Sequence, residues 1–400
     1  MTNELNVPKY IASKRTQVLI WVSCLIGVLT FVAGIIENPT RIWHSYLVSF
    51  FYFTSLSLFG LFFIMINHIT KAGWSVNIRR IPEAFTAFLP YTLLFLMLLM
   101  IGADFLYPWM DPDIAATDKL IKKKVAYLNE GFFTFRSFFF IILWIGFAWK
   151  IVGNSLKQDE TKDVNLTHKN VKLSVIGMLV FGLTYSLFSV DLLMSIDAHW
   201  FSTIFGVYAF SGLFQSGLAM MILFMIMFMK RGEYKGLVND HHMHDMGKFL
   251  FGFTVFYAYI AFSQYLLIWY ANLPEETIFY IHRMHGGWEW ISLSLIVCKF
   301  VIPFLLLAPV WAKKNHAWLT MVSIWILIFQ YVDFYWLVYP NLHTNHSSLF
   351  PEAPIFNGYE IGIFLGFLGF FLMTVHRFLS KNNIVPIGDP RQAESTHHHQ

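Results

Sequence analysis

Apolar stretches long enough to cross a hydrocarbon core of about 30 Å alternate along this chain with short polar connections. Ten stand out: near 17–36, 43–67, 84–106, 131–152, 171–193, 200–229, 248–272, 287–311, 317–339 and 358–379. Only a helix satisfies every backbone polar group inside a single apolar segment in lipid. The pattern therefore predicts an all-α, polytopic integral membrane protein, a single membrane domain over 1–400 with ten transmembrane helices. The run from Gln17 to Ile36 follows a polar start and lacks a small-residue cleavage site, so it reads as an uncleaved first span. The longest connection, about 107–130, has room for a short helix.

An even number of crossings puts both termini on one side, and charge says which. Lys and Arg of short loops stay cytoplasmic. On the terminal side they include Lys9, Lys14, Arg15, Lys71, Arg79, Arg80, Lys230, Arg231, Lys235, Lys313 and Lys314, with five more around a loop at 150–172. The other side has Arg41, Arg283 and a lysine group at 119–124, the latter in a longer loop with Asp111, Asp113 and Asp118, where the rule is weaker. Both termini are expected in the cytoplasm.

Composition agrees: 56% of residues are hydrophobic and 13% charged, with 43 Phe, 14 Trp and 18 Tyr, so lipid must serve as solvent for much of the surface. The basic residues sit in separate connections rather than in one patch, which argues against a nucleic-acid partner. Cys24 and Cys298 lie far apart in apolar runs. That leaves no disulfide framework, no iron–sulfur cluster held by this chain alone and no CxxCH haem attachment. His44, His68, His199, His282, His285 and His376 fall at helix ends or loops, which disfavours intramembrane haem. The HHMH stretch at 241–244 reads as a solvated loop and His397 to His399 as a polar tail. No cofactor or metal is expected on this chain alone.

Ionisable residues at membrane depth are expensive and mark a pathway or a structural pair. Counted from the outer helix ends, Asp104, Asp191 and Glu289 lie within about a turn of the surface, Arg136 roughly 7 Å in, Asp333 roughly 9 Å and Lys299 roughly 18 Å. Asp104 and Arg136 could close an ion pair between neighbouring helices. Lys299 could pair with Asp333 on the next, antiparallel helix, as a structural pair or as part of a proton path. Pro303 frees a carbonyl near Lys299 and could kink the helix there. Lys299, Asp333, Glu289, Asp104 and Arg136 are the candidate proton path. Beyond them no charged stair continues through the inner half. Thr184, Tyr185 and Ser186 on the fifth span, and Ser263, Gln264 and Tyr265 on the seventh, are hydroxyl and amide groups that could continue it through water.

Two outer segments concentrate polar groups beside aromatics. The first is SIDAHWFSTIFGVY, Ser195 to Tyr208, and the second HRMHGGWEW, His282 to Trp290. Asp191, Asp197, His199, His282 and His285 form a second candidate there. One reading is a quinol site, an aromatic slot with groups that take protons. The other is an interfacial aromatic belt with satisfied polar anchors.

The SIDAHWFSTIFGVY segment, the RMHGGWEW entry to the eighth helix and the DFYWLVYPNL end of the ninth resemble those of NrfD-like, polysulfide-reductase-type membrane subunits. The similarity runs over nearly the whole chain. It is nearest to the second such subunit, the ActF type, of bacterial alternative complex III, a quinol:cytochrome c oxidoreductase. The resemblance implies two four-helix bundles plus two further helices in the bacterial inner membrane. It also implies a respiratory assembly with a sister NrfD-like subunit, multihaem cytochrome c subunits and an iron–sulfur subunit on the outer face, docking to a terminal cytochrome oxidase as a supercomplex. Haem c and the iron–sulfur clusters would belong to those partners, quinol or menaquinol to the sister subunit, and a proton half-path to chains of this type. Two rival expectations are a structural scaffold that anchors lipids and partner subunits, and a secondary transporter. The latter would want paired broken helices, whereas Pro90 and Pro303 are unpaired.

Overall fold

The computed structural model describes residues 10–343 and 356–399. Ten helices are long and apolar enough to cross a membrane: α1 (Lys14–Glu37), α2 (Pro39–Ile69), α3 (Val76–Ile101), α4 (Glu130–Thr161), α5 (Val164–Ile196), α6 (Phe205–Arg231), α7 (Asp240–Ala271), α8 (Trp288–Leu307), α9 (His316–Leu342) and α10 (Gly358–Lys381). No strand occurs among the described residues. The protein is an all-α, multi-pass membrane protein.

Helices α2 to α5 pack as one four-helix bundle and α6 to α9 as a second, joined through α2, α5, α6 and α9. The apolar stretches of α2 and α6 are 94% and 83% buried, so these two helices form the spine between the bundles. The remaining helices, α1 and α10, pair with each other and lean on α2. Their pairing is written in small residues. A Cβ on Gly27 would strike the Gly366 Cα, one on Gly362 would strike Thr30, and one on Gly369 would come within 2.9 Å of the Cys24 amide. In lipid, where apolar side chains gain nothing by leaving the solvent, such close backbone approach is what holds helices together.

The helix ends follow ordinary capping chemistry. Asn38 accepts from the Arg41 N–H at 3.1 Å with Pro39 opening α2, and Asn357 with Glu360 forms a capping box on α10. The expected loop at 150–172 is mostly helix. Helix α4 runs to Thr161, Lys162 takes a left-handed conformation (φ 54°), and Asp163 caps α5 at once. Polar helical extensions beyond the bilayer carry no hydropathy signal, which is why they read as loop. Likewise α3 starts at Val76, because the buried Arg79 and Arg80 conceal its first turns from a hydropathy scan.

The first and last described segments of the chain meet on one face, called the chain-end face below. Tyr10 hydrogen-bonds His376, and Arg231 donates to the Ile11 carbonyl at 2.7 Å. The C-terminal segment folds back over the same face: Arg79 pairs with Asp389 at 2.7 Å, and Ser395 accepts from the Asn77 N–H at 3.1 Å. Here the structure corrects two expectations. The 241–244 stretch is the first turn of α7, with His242 fully buried in a capping box with Asn239. His398 docks on Asp245 at 2.7 Å rather than trailing in solvent. Histidine is hydrophilic on any scale, so composition alone hid both roles.

Candidate functional site

On the face opposite the chain ends, the 107–130 connection forms two short helices, Pro112–Thr117 and Lys119–Lys124, and a further helix, Pro274–His282, precedes α8. Gly286 and Gly287 both adopt positive φ (68° and 94°), turning the chain sharply into α8. Pro303 cannot donate to the Lys299 carbonyl, and a π-helical turn over Leu295–Val301 surrounds that point, with the Ile302 N–H reaching back to the Val297 carbonyl. The neighbouring Cys298 carbonyl accepts from the Trp325 indole of α9 at 2.6 Å. Such π turns recur at functional sites.

This turn carries Lys299. Its Nζ meets Asp333 Oδ2 of α9 at 2.5 Å, with the two residues 0% and 1% exposed. The depth gap closes because helical side chains lean toward the N-terminus of their own helix, here toward Asp333. Two tyrosines complete the cluster. Tyr208 of α6 donates to Asp333 Oδ1, Tyr257 of α7 donates to the same oxygen at 3.2 Å, and their hydroxyls lie 3.3 Å apart. The Tyr257 ring also sits under the ammonium, 3.7 Å from Nζ to centroid. One residue from each helix of the second bundle thus builds a buried carboxylate–ammonium–phenol cluster.

From the cluster toward the chain-end face runs a line of neutral polar groups. Gln330, one turn along α9, packs against Gly212 and is fully buried with neither amide atom hydrogen-bonded within the protein. Gln215 donates to Thr254 Oγ1 at 3.0 Å while its Oε1 is unpartnered, and Ser323 further along α9 has an unpartnered hydroxyl. Buried amides left this way call for ordered water. On the other side of the cluster, Gln264 accepts from Ser202 at 3.0 Å and donates to Tyr280 at 3.3 Å.

The remaining sequence candidates fall elsewhere. Arg136 does not pair with Asp104; it forks onto both oxygens of Asp191 at 3.0 Å, donates to the Tyr127 carbonyl at 2.9 Å and lies over the Tyr127 ring. Asp104 sits exposed in a 3-10 turn after α3 has ended, whereas Arg136 looks inward at α5. Glu289 accepts from the Gly287 N–H at 2.9 Å as a cap of α8, a role local to its own turn. Thr184 and Tyr185 are likewise committed, Thr184 to the Trp144 indole at 2.9 Å and Tyr185 to Ser55 and the Ala209 carbonyl. Of the proposed path, Lys299 and Asp333 are brought together; Arg136, Asp104 and Glu289 are not joined to them.

Asp197, His199 and His282 line one cleft of about 400 Å³ on this face. Asp118 pins the His199 ring at 2.7 Å, and Lys124 donates to the Ala198 carbonyl at 2.7 Å. Burial, aided by the Arg283 charge, pushes the His282 imidazole below its ordinary range. Asp191 lies outside this cleft, in the Arg136 clamp, and His285 is exposed away from it. Arg283, between the short helix and α8, is buried at 1% exposure and has no carboxylate within ion-pair reach among the described residues. It donates instead to the carbonyls of Phe279, Trp336 and Leu337 at 2.8–3.1 Å. Burial lowers its pKa to about 9, so it stays charged at neutral pH.

Sequence reasoning missed Tyr208, Tyr257, Gln215 and Gln330. A signal existed: Tyr208, Ser211 and Gln215 recur at helical spacing on α6, as do Ser323, Gln330 and Asp333 on α9. Comparison with protein-family models and with curated proteins gives no match to either.

Proposed function

We propose that this chain is an NrfD-like, ActF-type membrane subunit of a quinol:cytochrome c oxidoreductase in a bacterial inner membrane. In this reading its chain-end face is cytoplasmic, and it contributes a proton half-path while anchoring partner subunits. Haem c and iron–sulfur clusters reside on those partners, and the cleft face with Asp197, His199 and His282 is turned toward them.

The observation that carries the proton reading is the Lys299–Asp333 pair with its two tyrosines, fully buried at membrane depth. A buried ion pair is a poor way to gain stability, since desolvation offsets most of the attraction. Inside a membrane the default for such a group is a pathway. The Lys299 ammonium disfavours protonation of Asp333, so the charge states of the two are linked, and both tyrosine hydroxyls donate to Oδ1, the carboxylate oxygen turned away from the lysine. The unpartnered amide of Gln330 and the unpartnered Oε1 of Gln215 extend the line toward the chain-end face.

The test is purification of the protein in mild detergent through a tag on this chain, followed by subunit identification and a reduced-minus-oxidised spectrum. Co-purifying c-type haem and an iron–sulfur subunit is the expected result; a colourless protein isolated alone overturns the assignment.

A further inference from the structure

A groove of about 420 Å³ lies between α9 and α10, with α2 and α6 at its back. Along α10 its lining runs from Phe364 to His376, a distance of about 18 Å at the rise of an α-helix. The walls are apolar, and Ile324 and Ile328 of α9 open it to the bilayer at 46% and 54% exposure. Its end in the middle of the membrane is closed by aromatic rings. Tyr331 packs on Phe364 with centroids 4.8 Å apart, and Tyr52 lies against both rings while its hydroxyl donates to the Leu327 carbonyl at 3.0 Å. The end toward the chain-end face is polar. There His376 hydrogen-bonds Tyr10, whose ring carries the Arg231 guanidinium at 4.9 Å.

We propose that this groove binds an anionic phospholipid of the leaflet on the chain-end face, with one acyl chain in the slot and the phosphate at its polar mouth. Length selects the class of ligand. A hydrocarbon core of about 30 Å gives each leaflet about 15 Å, close to the length of the groove. A transmembrane helix of a partner needs a channel through both leaflets and would meet the ring pair of Tyr331 and Phe364. Charge selects the headgroup. On α6, Met220, Leu223 and Met227 line the groove, and Lys230 continues the same helical face and is exposed. Arg377 follows His376 and is exposed as well. Arg231 is itself paired with Glu233 at 3.0 Å, so attraction for a phosphate falls to Lys230 and Arg377, whose long side chains reach the headgroup level. The inference rests on the chain crossing a membrane and is independent of the quinol-oxidising assignment and of the proton path.

The test is native mass spectrometry of the purified full chain titrated with dioleoyl phosphatidylglycerol and with dioleoyl phosphatidylcholine. The first phosphatidylglycerol should bind saturably and at least fivefold more tightly than phosphatidylcholine, the worth of about one basic residue at the membrane surface. Leu368→Trp, which fills the groove, should weaken both lipids at least tenfold. Lys230→Gln with Arg377→Gln should bring phosphatidylglycerol to the phosphatidylcholine level and leave phosphatidylcholine unchanged. Photolabelling of the wild type with phosphatidylglycerol carrying a diazirine in its acyl chain needs no variant to fold, and label should concentrate at 223–227 and 368–372. Equal affinity for the two lipids, affinity unchanged in a folded Leu368→Trp protein, or label spread evenly over the lipid-facing helices each overturns the proposal. So does a benzoylphenylalanine placed at position 368 that cross-links a second protein, rather than lipid, in native membranes.

Discussion

Lys299 and Asp333 meet at 2.5 Å between two antiparallel helices, in a bundle interior where neither is exposed by more than 1%. Removing one partner strands a buried charge. Lys299→Met or Asp333→Asn alone should therefore destabilise the protein by about 3–5 kcal/mol, whereas replacing both with apolar residues should restore most of that loss. Thermal unfolding of the three variants in detergent checks this. A double variant as unstable as the worse single one would show that the pair is not the unit.

Arg136 and Asp191 form another buried ion pair, a bidentate clamp between α4 and α5 on the face away from the chain ends. Asp191→Asn should lower stability by about 3 kcal/mol or more and leave proton coupling of folded complexes intact. Asp104→Asn, on an exposed turn, should change neither. Unfolding temperature and proton release measured side by side separate these outcomes.

The α1–α10 pair rests on glycine contacts. Gly366→Leu would force a side chain into the Gly27 backbone and should detach α1 from the body. Maleimide labelling of Cys24, which is half-buried on α1 against Gly369 of α10, reads this directly: slow in the wild type and fast in the Gly366→Leu protein.

Asp389 gives the C-terminal segment a pH dependence. Burial alone would push its carboxyl up, but the Arg79 guanidinium and the Arg391 N–H outweigh it and hold it below the usual carboxylate range. A depressed carboxyl contributes stability above its unfolded pKa and loses it as pH falls through the folded value. The segment should stay docked through neutral and mildly acidic pH and become protease-sensitive only below the ordinary carboxylate range. Asp389→Asn should be sensitive already at neutral pH. Limited proteolysis across pH checks both.

Much of the fold is legible in the sequence because lipid makes the hydrophobic pattern almost sufficient: ten spans, with ends displaced mainly where polar turns continue a helix, as at Val76 and Thr161. The Lys299–Asp333 pair was legible too, since charges at depth are few and the two helices adjoin. The partner of Arg136 was not. Asp104 and Asp191 lie at similar depth, and only the rotation of each helix about its axis decides which carboxylate faces the guanidinium. The tyrosines were hidden for another reason: Tyr208 and Tyr257 are two among 18, and abundance masks a phenol aimed at a carboxylate. Arg283 looked like a loop cation because the Pro274–His282 helix that buries it has no hydropathy signature.

The central claim, that Lys299 and Asp333 exchange a proton coupled to quinol oxidation, is tested most directly by counting protons released per quinol oxidised by the intact complex in sealed vesicles. The wild type is compared with the Lys299→Met/Asp333→Leu double variant, chosen because it should assemble. The account predicts that the double variant keeps quinol oxidation and loses the protons beyond those released by the quinol itself. An unchanged proton count in an assembled double variant would contradict it.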